Sequence, residues 1–150
     1  MFPNANPSAL AGVVGVIDPD AYAASTVTTG WISAAAFHSF LAIIMAGDLG
    51  ASATVDAKIE QASSSGGTGA KDVTGLAITQ LTKAGTDDNK QALINIQQSD
   101  LDLANGFTHF RLSMTVATAA CDAGAIVLGF SPRKGAATAG DLSTVDEIVS

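Results

Sequence analysis

The chain is poor in cysteine, in aromatic rings and in positive charge, and each scarcity excludes a class of function. Cys121 is the only cysteine, so neither an intramolecular disulfide nor a cysteine-rich metal site can be built, and a reducing compartment fits. Seven Lys and Arg face fourteen Asp and Glu, which leaves a net charge of −7, and no basic residue stands before Lys58. Nucleic-acid affinity rests largely on clustered Lys and Arg, so a phosphate-binding face is not expected. Attraction to anionic membrane surfaces is disfavoured for the same reason. The most apolar run, the seven residues Phe40 to Ala46, is far short of the roughly 20 that span a bilayer. The start, MFPNANPSALAG, has neither the basic opening nor the unbroken apolar core of a signal peptide, so export by that route is not expected.

What the chain does contain is small residues: 28 Ala, 15 Gly, 14 Thr and 13 Ser in 150, against eight aromatics. Hydrophobic residues make up 47% and charged ones only 14%, which is too apolar for a chain that stays unfolded. The length is that of one domain with one core.

Period-two alternation is the clearest local signal. In ATVDAKIEQA, Val55, Ala57 and Ile59 alternate with Thr54, Asp56, Lys58 and Glu60, which is a strand with one wet face. Phe110, Leu112, Met114 and Val116 alternate likewise with His109, Arg111, Ser113 and Thr115. In KQALINIQQ, Ala92, Ile94 and Ile96 oppose Gln91, Asn95 and Gln97, with Leu93 as the one exception. FHSFLAIIMA (37–46) and AGAIVLGF (123–130) are apolar on both faces and read as central strands. Val13 to Ile17, Thr26 to Ser33 and Leu76 to Thr82 add β-branched stretches, making about eight strands. Glycine- and aspartate-rich turns separate them, and no long segment carries a 3.6-residue apolar repeat. The expectation is an all-β antiparallel sandwich, jelly-roll-like, over residues 12–130, with an extended arm at 1–11 and a linker and tail at 131–150. DLSTVDEIVS in that tail has Ser143 and Asp146 at capping-box-like spacing and predicts a short helix with Leu142, Val145, Ile148 and Val149 on one face.

No motif carries catalysis. SGGTGAKD (65–72) lacks the Gly-Lys-Ser/Thr of a phosphate loop, since Ala70 precedes Lys71 and Asp72 follows it, so it reads as a turn. Cys121 with His38 or His109 lacks a third group; the thiol reads as buried and His109 as a surface residue. The acid pairs Asp18/Asp20, Asp87/Asp88 and Asp100/Asp102 lack the remaining ligands of a calcium loop and read as turn chemistry. Trp31 and Tyr22 could stack a sugar, but with so few aromatics Trp31 reads as core. The expectation is a protein with no enzymatic activity, no metal and no cofactor.

As a unit, Phe37 to Phe130 carries a resemblance. FHSFLAIIMAGDLGASATVDAKIEQA leads into GGTGAKDVTGLAITQLT, and DDNKQALINIQQSDLDLANGFTHFRLSMTVAT follows. These phrases resemble small head-associated proteins encoded among the structural genes of tailed bacteriophages and gene transfer agents. The resemblance implies a β-sandwich on the outside of a capsid, as a decoration, cement or spike component, made in the bacterial host cytoplasm and located on the virion exterior. It transfers no active-site residue. The partners it implies are the major capsid protein and further copies of the chain, with a trimer on a lattice symmetry axis favoured and a pentameric spike the alternative. A tail or head-tail component, or a carbohydrate-binding sandwich, fits the same features. The terminal segments lie outside the resemblance, and their isolated apolar residues, Phe2, Leu10, Leu142, Val145 and Ile148, are the expected anchors to a partner.

Overall fold

The structure is a computed structural model that describes residues 4–149. Its strands run β1 (Ala11–Tyr22), β2 (Ser25–Thr28), β3 (Ile32–Ser33), β4 (Phe37–Leu49), β5 (Thr54–Ala62), β6 (Lys71–Ala77), β7 (Leu81–Thr82), β8 (Gln91–Gln97), β9 (His109–Ala117) and β10 (Cys121–Pro132). Eight of them make two facing antiparallel paths, β1-β10-β4-β8 and β2-β9-β5-β6, with the two-residue strands β3 and β7 pairing to β9 and β5. Along these eight strands every connection crosses from one sheet to the other except that from β5 to β6, which stays in the second, and this is the strand order of a jelly roll. The helical turns among the described residues are short 3-10 turns.

The alternating segments become the inner faces. Val55, Ala57 and Ile59 of β5 and Phe110, Leu112, Met114 and Val116 of β9 are at most 2% exposed. They pack against Phe40, Ala42 and Ile44 of β4, Ile94 and Ile96 of β8 and Val127 of β10. Phe40 and Phe110 join the two sheets edge to face, 4.7 Å between ring centroids. The few polar groups taken inside are paired, as Thr29 Oγ1 accepts from the Leu112 N–H at 3.1 Å. Gln61 Oε1 accepts from the Asp102 N–H at 2.8 Å. Burial of an unpaired polar group would cost about 1–3 kcal/mol, so these contacts matter for where the chain can turn.

Several segments depart from the sequence expectation. Thr26 to Ser33 is not one strand: the Thr29 side chain turns into the core and divides it into β2 and β3. Lys71 and Asp72 belong to β6 rather than to the preceding turn, pairing with Gln61 and Glu60. Trp31 is only partly buried and lies outside the core, on the exposed side of the second sheet, under the Arg111 guanidinium at 4.5 Å. β1 is longer than expected because bulges at Val13/Gly15 and Ile17/Asp20 carry it past Pro19, which an edge strand tolerates.

The C-terminal segment is corrected most. Residues 141–149 form no helix, and the Ser143/Asp146 capping box is not made. A ten-residue helix is marginal on its own, since stable isolated helices need about 12–15 residues. The segment is instead committed to the edge of β1: the Val13 N–H donates to Asp141 Oδ1 at 2.5 Å, and the Leu142 N–H donates to the Val13 carbonyl at 2.8 Å. β10 continues through Pro132, and Ala137, in a 3-10 turn (Ala137–Gly140), is 0% exposed within the core. Residues 137–142 are thus part of the sandwich rather than a linker. At the other end, Pro7–Ala9 makes a 3-10 turn closed by the Leu10 N–H on the Pro7 carbonyl, so the described part of the arm is folded against the start of β1.

Candidate interaction surface

The two sheets differ on their outer sides. On the second sheet the outward positions carry charge and hydroxyls, and these pair across strands. Arg111 Nε donates to Glu60 Oε2 at 2.7 Å, Lys58 Nζ to Asp72 Oδ1 at 2.7 Å, and Thr26 and Thr115 share a hydrogen bond of 2.8 Å. That is a surface built for water, although exposed pairs of this kind contribute little stability.

The outer side of the first sheet carries no charged residue along its centre. Cross-strand register sets Val16, Ile126, Ile43 and Leu93 in one row, and Val13, Leu128 and Leu41 in the next, with Asn95 at the β8 end. Ala11, Phe130, Ser39 and Gln97 form a third row, and Met45 lies beyond the first, next to Gln91. Leu93 is 60% and Met45 52% exposed. Strands β4 and β10 are apolar on both sides because residues of one parity fill the core while those of the other parity make this face. Its composition is that of an interface: an apolar centre, an amide rim along β8, and charge only at the ends.

Those ends differ in sign. Asp18, Asp20 and Asp122 lie where β1 and β10 pair near Cys121, and Asp20 and Asp122 line a depression of about 540 Å³ beside Met45 and Gly124. Arg133 and Lys134 follow β10 at the opposite end. Among the described residues neither has a carboxylate within 4 Å, whereas Lys58, Lys71, Lys83, Lys90 and Arg111 all do.

Of the expected anchors, Leu142, Val145 and Ile148 line one depression of about 400 Å³ formed by the C-terminal segment itself, together with Thr138 and Asp141. Leu10 is 40% and Ile148 46% exposed. Leu10 is not part of that depression, and Phe2 lies outside the described residues. The uncovered face of the first sheet was not among the anchors read from the sequence. Its signal was present in the two segments apolar on both sides and in Leu93, the one break in the alternation of β8.

The remaining candidates are held in structural roles. Cys121 is 2% exposed, its Sγ donates to the Asp122 carbonyl at 3.2 Å, and burial, with Asp122, Asp88 and Asp48 nearby, pushes the thiol pKa up. By register it sits at the end of the first sheet opposite His38, while His109 is on the second sheet, its Nδ1 hydrogen-bonded to Thr108 Oγ1. Asp87 takes the Lys90 ammonium and the Thr82 N–H; Asp88 takes the Leu49 N–H and Lys83; Asp102 takes Lys71 and Asn105. These contacts hold all three carboxyls below the usual carboxylate range. Asp100 accepts from the Gln97 N–H. Among the described residues no three His, Cys, Asp or Glu side chains are grouped to hold a metal ion. Trp31, in the connection between β2 and β3, lies against Arg111 of the second sheet while Tyr22 ends β1 of the first, so they make no shared platform; the Tyr22 hydroxyl donates to the Asp18 carbonyl.

No family model and no curated protein matches the chain. Among solved structures it is similar to a chain of the naturally occurring empty particles, or top component, of cowpea mosaic virus. The TM-score is 0.43 at 12% identity, covering 88% of this chain and 93% of that one. It is similar also to a chain of the empty virus-like particle of cowpea mosaic virus, with a TM-score of 0.43 at 11% identity, covering 89% of this chain and 86% of that one.

Proposed function

We propose that this chain is a structural virion protein that binds the outer surface of a tailed-phage head and decorates or cements it, with no catalytic role. The observation that carries the reading is the contrast between the two outer faces. A charged, internally paired face suits water, and an uncharged apolar face suits burial against protein. The resemblance of Phe37 to Phe130 to head-associated phage proteins supplies the setting: synthesis in the bacterial cytoplasm, assembly onto the major capsid protein, and a place on the capsid exterior. Neither membrane nor nucleic acid is a partner in this reading; among the described residues no helix is long and apolar enough to cross a membrane. Clustering about a lattice axis, three-fold or five-fold, is the arrangement such a role calls for on the head.

Within this reading the depression lined by Leu142, Val145 and Ile148, together with Leu10 and Phe2, grips the capsid. Burial of apolar side chains there is worth about 25 cal/mol per Å² of area removed from water, less the entropy of fixing the segment. The test is quantitative mass spectrometry of purified particles. A copy number that follows the number of capsid lattice positions supports the role; a ring-sized number confined to tails, or absence from particles, overturns it. Heads assembled with a chain lacking residues 143–150 should show reduced occupancy.

A further inference from the structure

We infer that the outer face of the first sheet is covered by a second copy of this chain, the two sheets packing face to face about a two-fold axis that runs across the strands, so that the basic end of each copy meets the acidic end of the other. The inference goes beyond the decoration role: it names a second copy, not the capsid, as the protein that covers this face, and leaves the C-terminal depression to grip the capsid.

The first ground is charge. A chain of net charge −7 repels its own copies over most of its surface. The rows Val16–Ile126–Ile43–Leu93 and Val13–Leu128–Leu41–Asn95 form a broad patch with no charge at all, so two copies can approach there without opposing carboxylates.

The second ground is area. Seven residues of β8 and their neighbours on the other three strands, at about 3.3 Å per residue and about 4.8 Å between strands, mark out an uncharged centre, apolar except for the β8 amides and Ser39, of roughly 440 Å² per copy. The charged ends reached by the 12 residues of β10 take the footprint to about 700 Å², close to the roughly 800 Å² per partner of a standard stable interface.

The third ground fixes the orientation. A two-fold axis along the strands would bring Asp18, Asp20 and Asp122 of both copies to the same end. An axis across the strands instead places Lys134 and Arg133, the two bases without an internal carboxylate partner among the described residues, opposite Asp20 and Asp122 of the other copy; the exposed Arg133 guanidinium gives one N–H to Gln98 Oε1 and keeps its other donors. The depression beside Met45 that those two aspartates line then receives a basic side chain. A flat self-complementary patch closes on itself in this way and leaves no open surface for further growth.

The experiment is sedimentation equilibrium with multi-angle light scattering on the full chain, in the absence of heads. A two-chain species is expected in solution. Leu93→Lys, at an exposed position, should raise the dissociation constant by roughly tenfold or more with an unchanged β-type circular dichroism spectrum and melting temperature of the separated chain. Ile43→Glu, at the centre, should abolish pairing. Arg133→Glu with Lys134→Glu should weaken the dimer, Asp20→Lys with Asp122→Lys should weaken it likewise, and the four changes combined should restore it. A monomer at high concentration overturns the inference, as does a dimer or trimer indifferent to Leu93→Lys. Failure of the combined charge exchange to restore pairing overturns the orientation. If the wild-type chain is monomeric and Leu93→Lys instead lowers occupancy on heads, the face belongs to the capsid protein and the second copy is wrong, while the decoration role stands.

Discussion

The ring of Phe37 occupies the space that a side chain at position 129 would need: a Cβ built on Gly129 would lie 2.6 Å from Phe37 Cδ2. Gly12, which pairs with Gly129 across β1 and β10, and Gly140 lie against the same ring, and the Ala137 carbonyl lies 2.6 Å from where a Cβ on Gly12 would stand. This slot closes one end of the sandwich. Gly129→Ala should destabilise by about 1–3 kcal/mol through overpacking against the 2%-exposed ring. Phe37→Ala should cost about 3–5 kcal/mol through the cavity it leaves. Urea unfolding followed by circular dichroism checks both, and a Gly129→Ala chain as stable as the wild type would refute the contact.

The C-terminal segment should divide at residue 142. Deletion of 143–150 removes side chains outside the sheet hydrogen bonding and should leave the melting temperature nearly unchanged. Deletion of 137–150 removes the buried Ala137 and both hydrogen bonds to Val13, and should lower it by several degrees. Asp141→Ala alone should cost about 1–3 kcal/mol, because it strips the acceptor from the partly buried Val13 N–H. Differential scanning calorimetry of the three chains decides.

Cys121 should be inert in the native protein. The thiol is buried and its pKa is raised, by burial first and by the neighbouring carboxylates second, so little thiolate forms near neutral pH. Iodoacetamide should label it only in denaturant. Rapid stoichiometric labelling of the folded chain would show that this end of the sandwich opens.

Acid should unfold the protein through Asp87, Asp88 and Asp102. Each carboxyl has its pKa lowered in the folded state, Asp87 chiefly by Lys90, Asp88 chiefly by the Leu49 N–H and Asp102 chiefly by Lys71. The stability they contribute is present above the unfolded carboxylate pKa of about 3.9 and is lost as pH falls through the lower folded values. The melting temperature should be flat from pH 7 to about 5 and fall below about pH 4. Asp88→Asn should reduce the slope of that fall; an unchanged slope would place the acid sensitivity elsewhere.

Alternation along the chain determined much of this protein. Val55, Ala57 and Ile59, and Phe110 to Val116, could satisfy their period of two only as half-buried strands, and glycine- and aspartate-rich turns at short intervals allowed only antiparallel connections. The sequence also determined that β4 and β10 are apolar on both sides. It could not say what lies against the second side, because a period of two gives each residue a face but not what covers that face.

The tertiary structure decided what depends on long-range register. It placed Val16, Ile126, Ile43 and Leu93, which are distant in sequence, in one uncovered row, and it separated Arg133 and Lys134 from Asp20 and Asp122 by the length of a sheet. It also gave residues 137–142 to the sandwich. In isolation DLSTVDEIVS has a cap and an apolar stripe and so a weak local preference for helix. The Val13 backbone at the edge of β1 gives its N–H to the Asp141 carboxylate and its carbonyl to the Leu142 N–H, and Ala137 finds a place in the core; those contacts outweigh what one short helix could gain alone.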